Sequence, residues 1–190
     1  LLSVTIVAQL GTDAYAGHQL GIQLLSISYT PGFAFSVAAT TLVGQALGQG
    51  KPDLAEACVR MANLLALSVM GGAGAIAFLW AEPILRIFTM QSAVIAQGIY
   101  AVRGGALFQL PLALSFVLSG ALRGAGDTRF VLFSQTAPLW VVRIPLVYRF
   151  GITWGWGLSG VWAGFILDGS ARALLLVLRF RQGRWKWLKI

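Results

Sequence analysis

Asp168 stands apart from the chain's other acidic residues because it lies deep inside a long apolar segment. A carboxylate at such a depth costs roughly 2.5–3.5 kcal/mol on insertion scales, so its presence marks charge chemistry. Arg172 follows one helical turn later and is close enough to pair with it. Asp168 is therefore either half of a structural ion pair, with Arg172 reaching toward the membrane surface, or a cavity-facing group that binds a proton or a cation. Arg143 lies between Pro138 and Pro145. It either satisfies backbone carbonyls that the prolines free, or serves substrate or ion coupling. His18, near a helix start, reads as a hydrogen-bonded interfacial histidine or as a proton sensor. The uncharged polar residues Gln23, Asn63, Gln109 and Gln135 can bond between helices or line a cavity. Phe33, Phe35, Phe108 and Phe116 read as packing or lipid-facing residues, or as an aromatic surface for flat cations.

Glycine patterns form a second group. Gly120, Gly124 and Gly126 precede Asp127 and suggest a tight turn with Asp127 as the next helix cap, or a gating hinge. No Gly-Lys-Ser/Thr follows, so this is not a phosphate loop. The spacing Leu42-x-Gly44-x3-Gly48-x-Gly50 recurs as Leu118-x-Gly120-x3-Gly124-x-Gly126. Structural repeats are common in membrane transporters. Pro31 and Pro111 fall inside apolar segments, and a kink is expected at Pro31. Cys58 is the lone cysteine, and there is no metal cluster, cofactor motif or nucleophile–base pair, so no enzyme activity is expected.

These residues are carried by long apolar helices. Hydrophobic residues make up 57% of the 190, and only 11% are charged, against about 25% in soluble domains. A span needs about 20 mostly apolar residues. Residues 1–10 suit the tail of a helix, with a turn at Gly11-Thr12-Asp13. Complete spans are expected near 20–47, 57–81, 98–122, 130–149 and 158–178, with Asp53 capping the second of them and an interfacial segment over 84–88. The fold class is thus an all-α polytopic membrane bundle: about five complete transmembrane helices and the end of a sixth, in one domain over 1–190.

The net charge of +8 does not signal nucleic-acid binding, because long apolar runs separate the basic residues. Lys51, Arg60, Arg123 and Arg129 fall on one side together with the basic tail Arg179, Arg181, Arg184, Lys186 and Lys189. That asymmetry places the C-terminus in the cytoplasm of a multi-pass cell-membrane protein. The chain begins at Leu1, already within an apolar run, and reads as a fragment lacking its N-terminal part.

Four segments resemble one family. Ala16-Gly17-His18-Gln19-Leu20-Gly21-Ile22 is similar to the A-x-H-Q-[IL] signature of the multidrug and toxic compound extrusion (MATE) transporters. Leu42-Val43-Gly44-Gln45-Ala46-Leu47-Gly48 resembles one of their helix ends, and Leu118 to Thr128 is similar to their L-x-G-x-LRGaGDT motif. Leu178 to Trp185 resembles the RFrrGrW ending of their second lobe. The resemblance implies twelve helices in two lobes of six, with this chain as most of the second lobe and the N-terminal lobe absent. It also implies a dependence on Na⁺ or H⁺ but leaves the choice open. Members place coupling carboxylates in the seventh and tenth helices; here most of the seventh is absent and 98–122 carries no acidic residue.

The expected activity is therefore secondary active export of small organic, cationic compounds, driven by Na⁺ or H⁺ antiport across the cytoplasmic membrane. No cofactor is expected, and the partners are the lipid bilayer, the substrates and the N-terminal lobe. One alternative is a flippase for lipid-linked precursors, which would turn Arg143 and Arg103 toward a cationic cavity. Another is a non-transporting membrane scaffold, which would have no central cavity.

Overall fold

The computed structural model describes residues 2–187, and these are helical apart from short connections. Helix α1 (Leu2–Ala8) is followed by α2 (Thr12–Gly48), α3 (Pro52–Leu79), the short α4 (Ala81–Phe88) and α5 (Ser92–Gly124). The next span is composite. It comprises α6 (Thr128–Pro138), a π turn at Leu139–Arg143, α7 (Ile144–Tyr148) and a second π turn at Arg149–Thr153. Helix α8 (Gly157–Arg181) and a 3₁₀ turn at Arg184–Trp187 complete the bundle. Five of these helical stretches are long and apolar enough to cross a membrane, and no strand occurs among the described residues.

The expected spans are all found, with corrected ends. Helix α2 starts at Thr12 rather than near 20, because only Gly11, at φ 104°, turns the chain and nothing after it breaks a helix. Its 37 residues extend about 55 Å, well beyond a hydrocarbon core of about 30 Å. Pro31 does not interrupt it, and Pro111 likewise sits inside a continuous α5. The third helix is preceded by Lys51 and has Pro52 in its first turn, so Asp53 lies inside the helix and is not its cap. Around Pro138 and Pro145 the α-ladder gives way to π turns. Each proline lacks an N–H and crowds the carbonyl four residues back, and wider turns absorb the mismatch.

Helix α5 is the axle. Its spanning window is 67% buried, against 22–44% for the other spans. Glycines let its neighbours approach. A Cβ on Gly120 would strike the Ser36 carbonyl of α2, and one on Gly124 would strike that of Thr40. At Gly104 a Cβ would stand 2.6 Å from Trp162 of α8, and at Gly74 of α3 it would stand 2.9 Å from the Ala106 carbonyl. Gly120 and Gly124 are therefore not turn residues, as the spacing suggested; they are contact points where two backbones meet. Only Gly126 of that motif adopts a left-handed conformation, at φ 82°.

The repeated spacing reflects two alike helix ends. Lys51 N donates to Ala46 O, and Asp127 N donates to Leu122 O, each closing a helix through a left-handed glycine, Gly50 or Gly126. Gly44 faces the Gly124 carbonyl across the pair, whereas Gly48 meets nothing within 4 Å. Asp127 occupies the N-cap position of α6 but makes no capping bond. Its carboxylate instead accepts from Arg179 Nε at 2.7 Å, tying the end of α8 to this loop. Trp185 is buried there, stacked on Phe180, and Lys186 pairs with Glu56 of α3 at 2.7 Å. Of the basic residues assigned to one side, Arg179 and Lys186 are thus tied to the same end of the bundle, and Lys189 lies outside the described residues.

Candidate functional site

A cavity of about 330 Å³ opens between α2, α5, α6 and α8, running from the middle of these helices to the end of α5 at Arg123. Helix α5 supplies Phe108, Leu112, Ser115, Phe116, Ser119 and Arg123. Tyr29 comes from α2, Val131 and Gln135 from α6, Arg143 from the first π turn, and Gly169 and Arg172 from α8. Gly169 is required because a Cβ would run into the Phe108 ring. The Tyr29 and Phe116 rings meet edge to face, 5.5 Å apart, at the α2 side.

Asp168 lies behind this wall with a side chain 0% exposed. Arg143 donates to its Oδ2 from Nε at 2.8 Å, and its Nη2 is ion-paired with the same oxygen at 2.6 Å. Arg172 Nε donates to Oδ1 at 3.0 Å and to Oδ2 at 3.1 Å. The expected Asp168–Arg172 pair is present, and a second arginine joins it. Arg143 does not serve the carbonyls near its prolines, because the π turn at Leu139–Arg143 aims it across to α8. Its guanidinium also covers the Phe165 ring at 4.5 Å. With both oxygens engaged, the carboxylate is paired as a buried charge must be.

The network continues away from the acid. Arg172 Nη1 donates to Gln135 Oε1 at 2.9 Å, and Gln135 Nε2 donates to Ser119 Oγ at 3.1 Å. Helices α8, α6 and α5 are thereby joined by a polar chain in addition to their apolar contacts. Arg123 Nη2 donates to Ser36 Oγ at 2.9 Å, and the Thr40 hydroxyl bridges the carbonyls of Ser36 and Gly120.

Other sequence candidates lie elsewhere. Gln23 is exposed on α2, Asn63 sits on α3, and Gln109 is buried against Gly74 of α3; none lines this cavity. Asn63 Oδ1 and Gln109 Oε1 are buried without a partner among the described residues, so neither makes the interhelical bond expected of it. His18 lacks the hydrogen bond expected at Nδ1. It is 1% exposed beside the rings of Trp162 and Phe165, and its Nδ1 is unpartnered among the described residues. Phe33 is exposed, Phe35 packs in the core, and Phe108 and Phe116 reach the cavity. Arg103 lies outside it, over the Phe78 ring. Sequence reasoning missed Ser115, Ser119 and Arg123, although their spacing of four draws one polar line along α5.

Among the described residues no group of His, Cys, Asp or Glu could hold a metal ion. The cavity offers hydrogen-bond donors, guanidinium charge and aromatic surface, a set suited to binding.

A family model described as MatE matches residues 1–149. The probable multidrug resistance protein NorM of Thermotoga maritima is 36% identical over 186 residues, which covers 98% of this chain and 40% of the relative. The multidrug resistance protein MdtK of Yersinia pseudotuberculosis is 32% identical over 180 residues, covering 93% and 39%. A crystal structure of a MATE protein in the straight conformation superposes with a TM-score of 0.89 at 20% identity, covering 98% of this chain and 42% of that one. The chain spans about two fifths of the length of the curated relatives it matches.

Proposed function

The chain belongs to the MatE family, and from that premise we propose that it forms one lobe of a two-lobed exporter of amphipathic compounds. The family's members are transporters rather than enzymes. The observation that carries the proposal is the cavity of mixed polar and aromatic lining, walled by four spans beside the α5 axle. Transporters of this kind place substrate near the bilayer midplane between their repeats. A second helical lobe would close the open side of the cavity, and the two lobes would expose it alternately to each face of the membrane. Export is driven by inward Na⁺ or H⁺ across the cytoplasmic membrane, with the C-terminus in the cytoplasm. The lobe acts as one transmembrane domain over 1–190. A scaffold role is disfavoured by the cavity itself, which a flat packing protein would not maintain.

The test is reconstitution of the complete transporter in proteoliposomes with an imposed Na⁺ or H⁺ gradient. A panel of amphipathic dyes of either charge should move against their own gradients, and only while one ion gradient persists. Dye movement indifferent to both gradients would overturn antiport, and no movement of any dye would overturn export.

A further inference from the structure

We propose that a groove on the back of α5 holds a resident membrane phospholipid, with one acyl chain in the groove and an anionic headgroup on Arg103. The groove lies between α3 and α5 and has a volume of about 320 Å³. Every residue lining it is apolar or glycine. Helix α3 supplies Gly71, Gly74 and Ala75, which leave the space open, and Phe78 near its end. Helix α5 supplies Leu107 and Leu110. From Phe78 to Gly71 the groove runs about 10 Å along α3. That volume over that length suits a thin, flexible chain. A helix, about 10–12 Å across, would not enter it.

Helix α5 separates this groove from the cavity. At about 100° per residue, Phe108, Leu112, Ser115, Phe116 and Ser119 centre on one direction, and Arg103, Leu107 and Leu110 centre about 180° away. A second lobe that closes the cavity therefore leaves the groove to the bilayer, and a lipid held there is not in the transport path. Arg103 marks one end. Its guanidinium lies over the Phe78 ring at 5.4 Å, and it makes no hydrogen bond or ion pair among the described residues. Phe78 is one residue from the end of α3, and Glu56 at the other end of that helix pairs with the tail, so the charge sits toward the membrane surface opposite the tail. Exposed Trp80 follows at that level, as aromatic residues do beside headgroups. Arg86 of α4, at the same end, is already paired with Glu82 at 2.7 Å. An unpaired cation on a span calls for a partner, and a guanidinium fork matches the oxygens of a phosphate. One anionic lipid satisfies both features: its chain fills the apolar groove and its phosphate meets Arg103.

The test uses the complete transporter, delipidated in detergent and titrated with phosphatidylglycerol or phosphatidylcholine bearing the same oleoyl chains. Native mass spectrometry counts the bound lipid. One phosphatidylglycerol should bind about tenfold more tightly than phosphatidylcholine, the preference expected for one charge-assisted contact. Arg103→Gln should abolish that preference, and Arg103→Lys should keep part of it. Ala75→Phe, at an exposed position, fills the groove and should weaken binding of both lipids. Arg86→Gln removes a cation that is already paired and should change neither. Equal binding of the two lipids by the parent, or binding unchanged in Arg103→Gln or in Ala75→Phe, would overturn the proposal, as would an equal loss in Arg86→Gln. Ala75→Cys in a Cys58→Ser background should be alkylated by a maleimide in the delipidated protein. Protection of that cysteine, or a disulfide between two copies, would also overturn it, by showing that the second lobe or a second copy covers the groove.

Discussion

Thr40 of α2 donates its hydroxyl to the Gly120 carbonyl of α5 at 2.9 Å, and its own carbonyl lies where a Cβ on Gly124 would fall. One residue of α2 thus clamps two glycines of α5. The contact works only while both glycines lack side chains, since the obstacle is backbone and cannot rotate away. Gly120→Ala and Gly124→Ala should each lower the melting temperature of the purified transporter, by an overpacking cost of about 1–3 kcal/mol. Gly72→Ala, which meets nothing within 4 Å, should leave it unchanged or slightly raised. A Gly124→Ala protein as stable as the parent would show that the two helices do not meet this closely.

Sidedness can be read by cysteine labelling. Gly50, Gly126 and Gly155 mark the connections, but all have positive φ, so a cysteine there would be strained. The exposed neighbours Gln49, Thr128 and Thr153 are better reporters in a Cys58→Ser background. Gln49→Cys and Thr128→Cys should label from the cytoplasm and Thr153→Cys from outside. Labelling of the first two from opposite faces would refute the five-span arrangement.

At the tail end, two ion pairs differ in burial. Asp127 is 8% exposed and Arg179 20%, with Arg179 also over the Phe130 ring at 5.1 Å. Glu56, by contrast, is 37% exposed where it meets Lys186. Asp127→Ala should therefore cost about 1–3 kcal/mol by leaving a half-buried guanidinium unpaired, and Lys186→Ala about 0–1 kcal/mol. Thermal melts of the two variants should fall in that order. Equal losses would show that burial does not separate them.

The architecture was legible because hydrophobic length and Gly or Pro punctuation are local signals; all five spans follow from them. The glycine repeat was visible too, but its meaning was not. Sequence spacing cannot distinguish a glycine that turns the chain, such as Gly126, from one that admits a neighbouring backbone, such as Gly124. Asp168 and Arg172 could be paired because one helix places them together. Arg143 joins them from 25 positions away through a π turn, and no periodicity in the sequence announces a π turn. Gln109 and Asn63 do not line the cavity, and their polar type alone could not reveal which face of a helix they occupy.

The strongest energetic prediction concerns Asp168. Removing one partner of a buried ion pair costs about 3–5 kcal/mol, because the other charge is left buried and unpaired. Asp168→Asn leaves two such charges, Arg143 and Arg172, which repel each other once the carboxylate is gone. Its yield of monodisperse protein should be the lowest of the series. A partner deletion in the same background relieves only half of this. Asp168→Asn with Arg172→Gln still strands Arg143, and Asp168→Asn with Arg143→Gln still strands Arg172, so both doubles should fall between the single variant and the parent. Only the triple variant Asp168→Asn, Arg143→Gln, Arg172→Gln removes every unpaired charge, and its yield should approach that of the parent. Size-exclusion profiles after membrane extraction provide the measurement. If Asp168→Asn with Arg172→Gln already matches the triple variant, the bond from Arg143 contributes nothing to folding. The triple variant should also lose substrate binding, because its stability returns while two of the three guanidiniums of the cavity wall are gone. A well-folded triple variant that still bound and moved substrate would separate the ion cluster from function altogether.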